Sequence, residues 1–328
     1  MERILVVNMN YMGDALMTVP AMSALRRAYP NSVIDTIAGT GAAADVLKFV
    51  TEINAIIPRT SHSSFGRCRQ LYQVIRNGKY DTVVILPKLP AYALTAWLTR
   101  IPLRAGLSGT GMDAFLTHKA TKSNAHLADQ LLAVAESVIQ ADRNCMAPGL
   151  GKEVKDECAV ELQEDVVPNL VGIHIGSTRE QKRWPNARVE QLIQRIPDLA
   201  VVLLGAGERD IDQATALISS CKHSNLRNMV GSTDIEALAM VIQQCRVLVT
   251  GDSGPMHLAS YLGVPTVALF GSTDPKVTGP YDSRSSVIYK SLPCAPCNSH
   301  PSCNGAFTCM QTIDAQEVEA AVRLYFPE

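Results

Sequence analysis

Apolar residues in this chain fall into short unbroken runs. Each run closes on glycine, serine, asparagine or aspartate, and an amphipathic stretch follows it. In the first half the runs are "RILVVNMN", "SVIDTIAG", "AIIP" and "YDTVVILPK", with "TVPAMSALRRAYP" and "FGRCRQLYQVIRNGKY" between them. In the second half they are "LVGIHIGS", "LAVVLLGAG", "NMVG", "RVLVTGDS" and "TVALFGS", separated by stretches such as "PNARVEQLIQRIP" and "DIEALAMVIQQC". Continuous rather than alternating apolar strands are buried on both faces, so the pattern predicts parallel sheets covered by helices. The alternation restarts near residue 170, after the polar stretch "KEVKDECAVELQEDVVPN". The expected organisation is therefore two doubly wound α/β domains, residues 1–166 and 167–310, with a terminal helix within 311–328. In such sheets ligands bind outside the carboxyl ends of the strands.

The residues at those ends carry the candidate chemistry. After the first strand, "NMNYMGDALM" places Gly13 and Asp14 at a helix start. Asp14 reads either as a helix N-cap or as a general base. The glycine fingerprint of a dinucleotide fold, G-x-G-x-x-G, is absent there, which counts against a nicotinamide-dependent oxidoreductase. After the first strand of the second half, "GSTREQKRWP" offers Ser177, Thr178, Lys182 and Arg183 ahead of a helix opened by Pro185. Donors and a cation in that place suit a phosphate. Glu208 in "GAGERD" is a candidate acceptor for ribose hydroxyls or a surface carboxylate. "GDSGPMHLASY" sets Gly251, Asp252, Ser253 and Gly254 at the mouth of a helix, with His257 one turn inside. The first N–H groups of that helix lack internal partners and its dipole favours an anion. Asp252 would repel a phosphate, so it is expected to orient backbone groups or to bind a hydroxyl.

Charge and cysteine usage refine this picture. Residues 1–150 hold 15 basic and 10 acidic residues, a balance of +5, and the remainder balances 15 against 21, at −6. The net charge of −1 argues against a nucleic-acid binder, while the basic first half suits an anionic partner. No apolar stretch reaches the roughly 18–20 residues that span a bilayer, and "MERILVVN" is not a signal peptide, so the expected location is the cytoplasm. Cys294, Cys297, Cys303 and Cys309 in "CAPCNSHPSCNGAFTC" have spacing that suits a structural metal or four reduced thiols.

Four blocks together resemble glycosyltransferase family 9, the bacterial heptosyltransferases of lipopolysaccharide assembly: "MGDALMTVPAMSALRRAYP", "GSTREQKRWP", "GDSGPMHLASYLGVPTVALFGSTDP" and the cysteine-rich "CAPC" segment. The resemblance runs from residue 3 to the final helix. It implies the GT-B architecture, two Rossmann-like domains facing across a cleft, with the C-terminal helix returning to the first. It also implies an inverting transfer from ADP-heptose, without a catalytic metal. Asp14 would be the base. Ser177, Thr178, Lys182 and the Gly251–Gly254 turn would receive the diphosphate. The acceptor would be an anionic lipopolysaccharide core held near Gly13, Arg59, Arg104, Lys119 and Lys122, with peripheral contact to the inner face of the membrane. The resemblance extends to the cysteine cluster, where zinc and iron stay open. Alternatives are a protein or small-molecule acceptor and a non-catalytic nucleotide-binding protein.

Overall fold

The computed structural model describes residues 1–109, 111, 113–143, 169–221, 223–298 and 300–327. The chain forms two compact units, Met1–Cys158 and Ala159–Glu328. The expected boundary at 166/167 lies outside the described residues.

The first unit runs β1 (Arg3–Val7), α1 (Met12–Leu16), α2 (Val19–Ala28), β2 (Val33–Ala38), α3 (Ala42–Leu47), β3 (Ala55–Pro58), α4 (Ser64–Gly78), β4 (Thr82–Ile85), α5 (Pro90–Leu98), β5 (Leu103–Leu107), β6 (His118–Ala120) and α6 (Leu127–Arg143). Its six strands are all parallel, in the order β3-β2-β1-β4-β5-β6. The second unit runs β7 (Leu170–His174), α7 (Asn186–Arg195), β8 (Ala200–Leu204), α8 (Glu208–Ser220), β9 (Leu226–Asn228), α9 (Ile235–Gln244), β10 (Val247–Gly251), α10 (Gly254–Tyr261), β11 (Thr266–Phe270), α11 (Pro275–Thr278), β12 (Ser286–Tyr289), α12 (Thr308–Gln311) and α13 (Ala315–Arg323). Its order, β12-β11-β10-β7-β8-β9, is the same topology repeated. In each unit the chain starts in mid-sheet, winds outward, then returns to build the other half. The crevice where the direction reverses lies at the ends of β1 and β4, and again of β7 and β10.

Burial explains the strands. Ile4 to Val7 are at most 1% exposed and Val247 to Val249 likewise, because helices cover both faces. β5, β6 and β12 were not among the expected strands, and β9 ends where "NMVG" was expected to begin pairing.

The C-terminal helix α13 belongs to the second unit and packs on α7. Ala315, Val318 and Val322 join the core that holds Leu192 and Ile193. The Trp184 indole donates to the Ile313 carbonyl at 3.1 Å. Arg188–Asp314 and Arg323–Asp198 pairs flank the seam at 2.9 and 2.6 Å. Exposed pairs of this kind contribute about 0–1 kcal/mol, so the apolar side fixes the docking.

Candidate functional site

In the second unit the strand ends form a connected polar site. Lys182 lies in a short 3-10 turn, Glu180–Lys182, that follows β7. Its ammonium meets the Asp252 carboxylate at 2.5 Å, and the Thr273 hydroxyl donates to the same oxygen at 2.6 Å. Asp252 is buried. It therefore orients Lys182 and ties the β10 turn to the β11 turn. An ammonium has three donors, and this pair uses one.

Gly251 is required by this arrangement. A Cβ there would stand 2.5 Å from the Lys182 carbonyl oxygen. The glycine admits the Lys182 backbone, whereas the sequence suggested room for a phosphate. Gly251→Ala is expected to displace the Lys182 turn and to weaken nucleotide binding while leaving the sheet intact. Calorimetric titration with ADP, alongside circular dichroism, checks both.

Beneath this turn lies a second network that the sequence reading missed. His174, at the end of β7, faces the Thr250 hydroxyl at 3.2 Å and the Ser253 hydroxyl at 3.3 Å through Nδ1. Burial pushes its pKa down to about 4, with Asp210 opposing and Arg183 assisting. His174 is thus neutral near pH 7. The Arg183 guanidinium lies 2.7 Å from the buried Asp210 carboxylate. Asp210 also accepts from the Ala206 amide at 2.9 Å. Gly176 and Gly205 both press on Asp210, where a Cβ would come within 2.4 and 3.0 Å of it. His174, Gly176, Lys182, Arg183, Thr250 and Gly251 line one pocket.

The other residues expected in this half are placed as follows. Ser177 is half-buried, and its hydroxyl accepts from the Arg179 amide at 3.2 Å. Thr178 is exposed beside it. Ser253 occupies the N-cap position of α10, but its hydroxyl serves His174 and Thr250 and makes no side-chain cap. Its backbone, with Gly254, is what the helix mouth offers. His257 is buried within α10. Glu208 is exposed on the first turn of α8, which Gly207 enters at a φ of 92° that favours glycine. The buried acid of that helix is Asp210.

In the first unit Asp14 is the third residue of α1, behind Tyr11 at the N-cap and the buried Gly13. The cap position belongs to Tyr11, so Asp14 is not the N-cap. It lies in the first turn, where a carboxylate complements the helix dipole. The β1–α1 loop leading to it is held from behind. The Asn8 amide donates to the Thr18 hydroxyl at 2.9 Å. Arg59 donates to the Asn8 carbonyl and the Asn10 side chain, and lies over the Tyr92 ring at 5.7 Å. Arg59 is buried. It supports the loop, which corrects its expected role as a direct acceptor contact. Arg104 is corrected too. It sits near the start of β5, away from the carboxyl ends, with its guanidinium on the carbonyls of Phe115, Ile101 and Pro102. Lys119 is exposed in mid-β6, and Lys122 is exposed just past its carboxyl end. Lys88 follows β4, and burial together with the charge of Lys122 lowers its pKa. Lys88 and Lys122 thus form a pair of cations at the strand ends, and sequence reading found only one of them.

Of the two readings of the four cysteines, structural metal and reduced thiols, the metal finds no support among the described residues. Tetrahedral zinc needs thiolates about 2.3 Å from one ion, and the described residues contain no group of three or more Cys, His, Asp or Glu so placed. Cys309 is buried on α12, where its sulfur would meet a Cβ on Gly271 at 2.6 Å. Burial, with smaller contributions from Cys297, Cys294 and Cys303, raises its pKa. The thiols of the cluster sense one another's charge.

Comparison with known proteins agrees with this geometry. Residues 68–307 match the profile of glycosyltransferase family 9 (heptosyltransferase). The chain is 26% identical over 308 residues to lipopolysaccharide heptosyltransferase 2 of Salmonella typhimurium, covering 87% of each chain. It is also 26% identical to lipopolysaccharide heptosyltransferase 1 of Pseudomonas aeruginosa, covering 90% of this chain and 86% of that protein. The crystal structure of a family 9 glycosyl transferase from Veillonella parvula superposes with a TM-score of 0.77 at 25% identity, over 99% of this chain and 97% of that one.

Proposed function

This chain belongs to glycosyltransferase family 9, and we propose that it moves a heptose from ADP-heptose to a hydroxyl of an anionic lipopolysaccharide inner-core acceptor. The observation that carries the reading is the ordered cation at the second switch point. Lys182, oriented by Asp252, stands beside the mouth of α10, where a diphosphate leaving group gains charge as its bond to the sugar breaks. Donors fixed in advance of that charge supply much of a transferase's rate. The Asp14 carboxylate takes the proton of the acceptor hydroxyl. The oxygen attacks the anomeric carbon from the face opposite the diphosphate, the carbon–phosphate oxygen bond breaks, and ADP departs with inverted configuration at the sugar. Lys182, Ser177, Thr178 and the amides of Ser253 and Gly254 receive the diphosphate, so the charge is met by protein groups without a catalytic metal. Glu208 is the candidate for the ribose hydroxyls. Lys88 and Lys122 are candidates for acceptor anions. The lipopolysaccharide assignment draws on the names of the two relatives, and an acceptor of that class places the work at the inner face of the membrane.

The test is ADP release from ADP-heptose with a panel of inner-core acceptors. Acceptor-dependent release is expected. Lys182→Met should lower kcat/KM for the donor by about 10²–10³, with circular dichroism unchanged. Release only with a protein or small-molecule acceptor would move the chain to another substrate class. A variant as fast as the parent would remove Lys182 from the site.

A further inference from the structure

Much of the positive balance of the first half is concentrated in one segment. Between residues 53 and 112 the sequence has eight lysines and arginines and a single acid, Asp81. Asp81 is spent on the Glu2 and Arg3 amides, at 2.6 and 3.0 Å. The segment contains α4 and α5, which pack against each other. On α4, Phe65, Arg69, Tyr72 and Arg76 recur at i, i+4, i+7 and i+11, within an arc of about 60°, so they share one ridge. All four are exposed, Phe65 at 81% and Tyr72 at 41%. At the end of α5, Trp97 and Leu98 are 47% and 54% exposed, and Trp97 lies against Phe115 with ring centroids 5.2 Å apart. Lys79 and Arg100 close these two helices and are exposed as well. None of Arg69, Arg76, Lys79 and Arg100 has an ion-pair partner among the described residues.

Core formation does not explain this arrangement. Burial of α4 is supplied by Leu71 and Ile75, and large aromatics left in water gain nothing for the fold. Aromatic rings interleaved with unpaired cations, in a segment with a single acid, fit the zone where headgroups meet acyl chains. Rings enter that zone, and arginine and lysine reach anionic phosphates. We propose that the outer face of α4, with the end of α5, docks this protein on an anionic lipid surface. This goes beyond the transfer reaction by naming the surface that meets the bilayer, and it stands or falls without the acceptor.

The experiment is sedimentation of the full chain with vesicles, without acceptor or nucleotide. Neutral phosphatidylcholine vesicles are compared with vesicles containing about a third phosphatidylglycerol. Binding is expected to the anionic vesicles and to weaken with salt. Arg69→Glu with Arg76→Glu should lower the partition coefficient about tenfold or more. Phe65→Ser with Tyr72→Ser should lower it as well. Arg227→Glu, which reverses an exposed cation of the second unit, should leave it unchanged. An unchanged thermal midpoint and unchanged ADP binding show that each variant is folded. Equal binding to neutral and anionic vesicles, or no loss in the double variants, overturns the proposal. Self-association lost in those variants, with no vesicle binding, would overturn it by assigning the face to a second copy of the chain.

Discussion

Asp14→Asn is expected to lower kcat for heptosyl transfer by about 10²–10⁴ while ADP binding and the unfolding midpoint stay close to those of the parent. The asparagine keeps the shape and loses the ability to accept a proton. The fold tolerates the exchange for two reasons. Asparagine matches the carboxylate in shape and keeps one of its two acceptor oxygens. The loop is positioned by other residues, since Asn8 bonds Thr18 and Arg59 grips the Asn8 carbonyl. ADP release under saturating acceptor measures the first quantity and calorimetry the second. A variant that turns over at the parent's rate would show that another group takes the proton. A variant that loses ADP binding too would mean that the carboxylate acts on the donor.

Arg183→Met is expected to destabilise the second unit by about 3–5 kcal/mol. It strips a buried carboxylate of its countercharge, and Asp210 is only 2% exposed. The remaining acceptor bond from Ala206 does not replace a full charge. Methionine fills much of the arginine stem's volume, so the loss reports on charge rather than on a cavity. The denaturant midpoint of the unfolding transition measures it, and Asp210→Asn in the same chain should recover part of it. A further readout follows from His174. Burial first, and then Arg183, hold that imidazole at about 4, against 6.5 for an ordinary histidine. The unfolded chain therefore takes up a proton that the folded chain refuses. The stability from this group is complete above pH 6.5 and declines as the pH falls toward 4. In Arg183→Met the pKa of His174 should rise, because Asp210 remains and the opposing cation is gone. Titration of the imidazole resonances detects this. A midpoint within experimental error of the parent's would show that the Arg183–Asp210 pair is dispensable.

Much of this architecture can be read from the chain, because a strand buried on both faces must be apolar without interruption and must stop at a turn. That is why β1, β7, β8, β10 and β11 stand out, with the glycines and serines that follow them. β5 is harder. Its sequence "LRAGL" looks broken by Arg104, yet that guanidinium is satisfied by three backbone carbonyls around the strand's start. The three residues of β6 include His118 and Lys119, and an edge strand this short leaves no periodicity. The turns after β7, β10 and β11 were legible, but the places of Asp210 and His174 were not. Their importance comes from contacts between the ends of different strands, and "GERD" exposes Glu208 to the reader while hiding Asp210 two residues further on. The two misplaced arginines share one cause. The basic balance of the first half suggests both as contacts for an anion, whereas Arg104 donates to backbone carbonyls and Arg59 to the Asn8 carbonyl and the Asn10 side chain.

The doubled strand order has a consequence for synthesis on the ribosome. The central strand β7 needs β10 as a neighbour, and the bonds that define the site join residues far apart along the chain. Lys182 and Asp252 are separated by 70 positions, and His174 and Thr250 by 76. A nascent chain that has emerged only as far as α9 carries half a sheet of the second unit with an open edge and lacks the Thr250 and Gly251 wall of the pocket. The first unit by then has all its strands and can close. The second must hold β7 without one neighbour for about half its length, as the first held β1 until β4 emerged, so each half in turn exposes an open sheet edge to aggregation during growth.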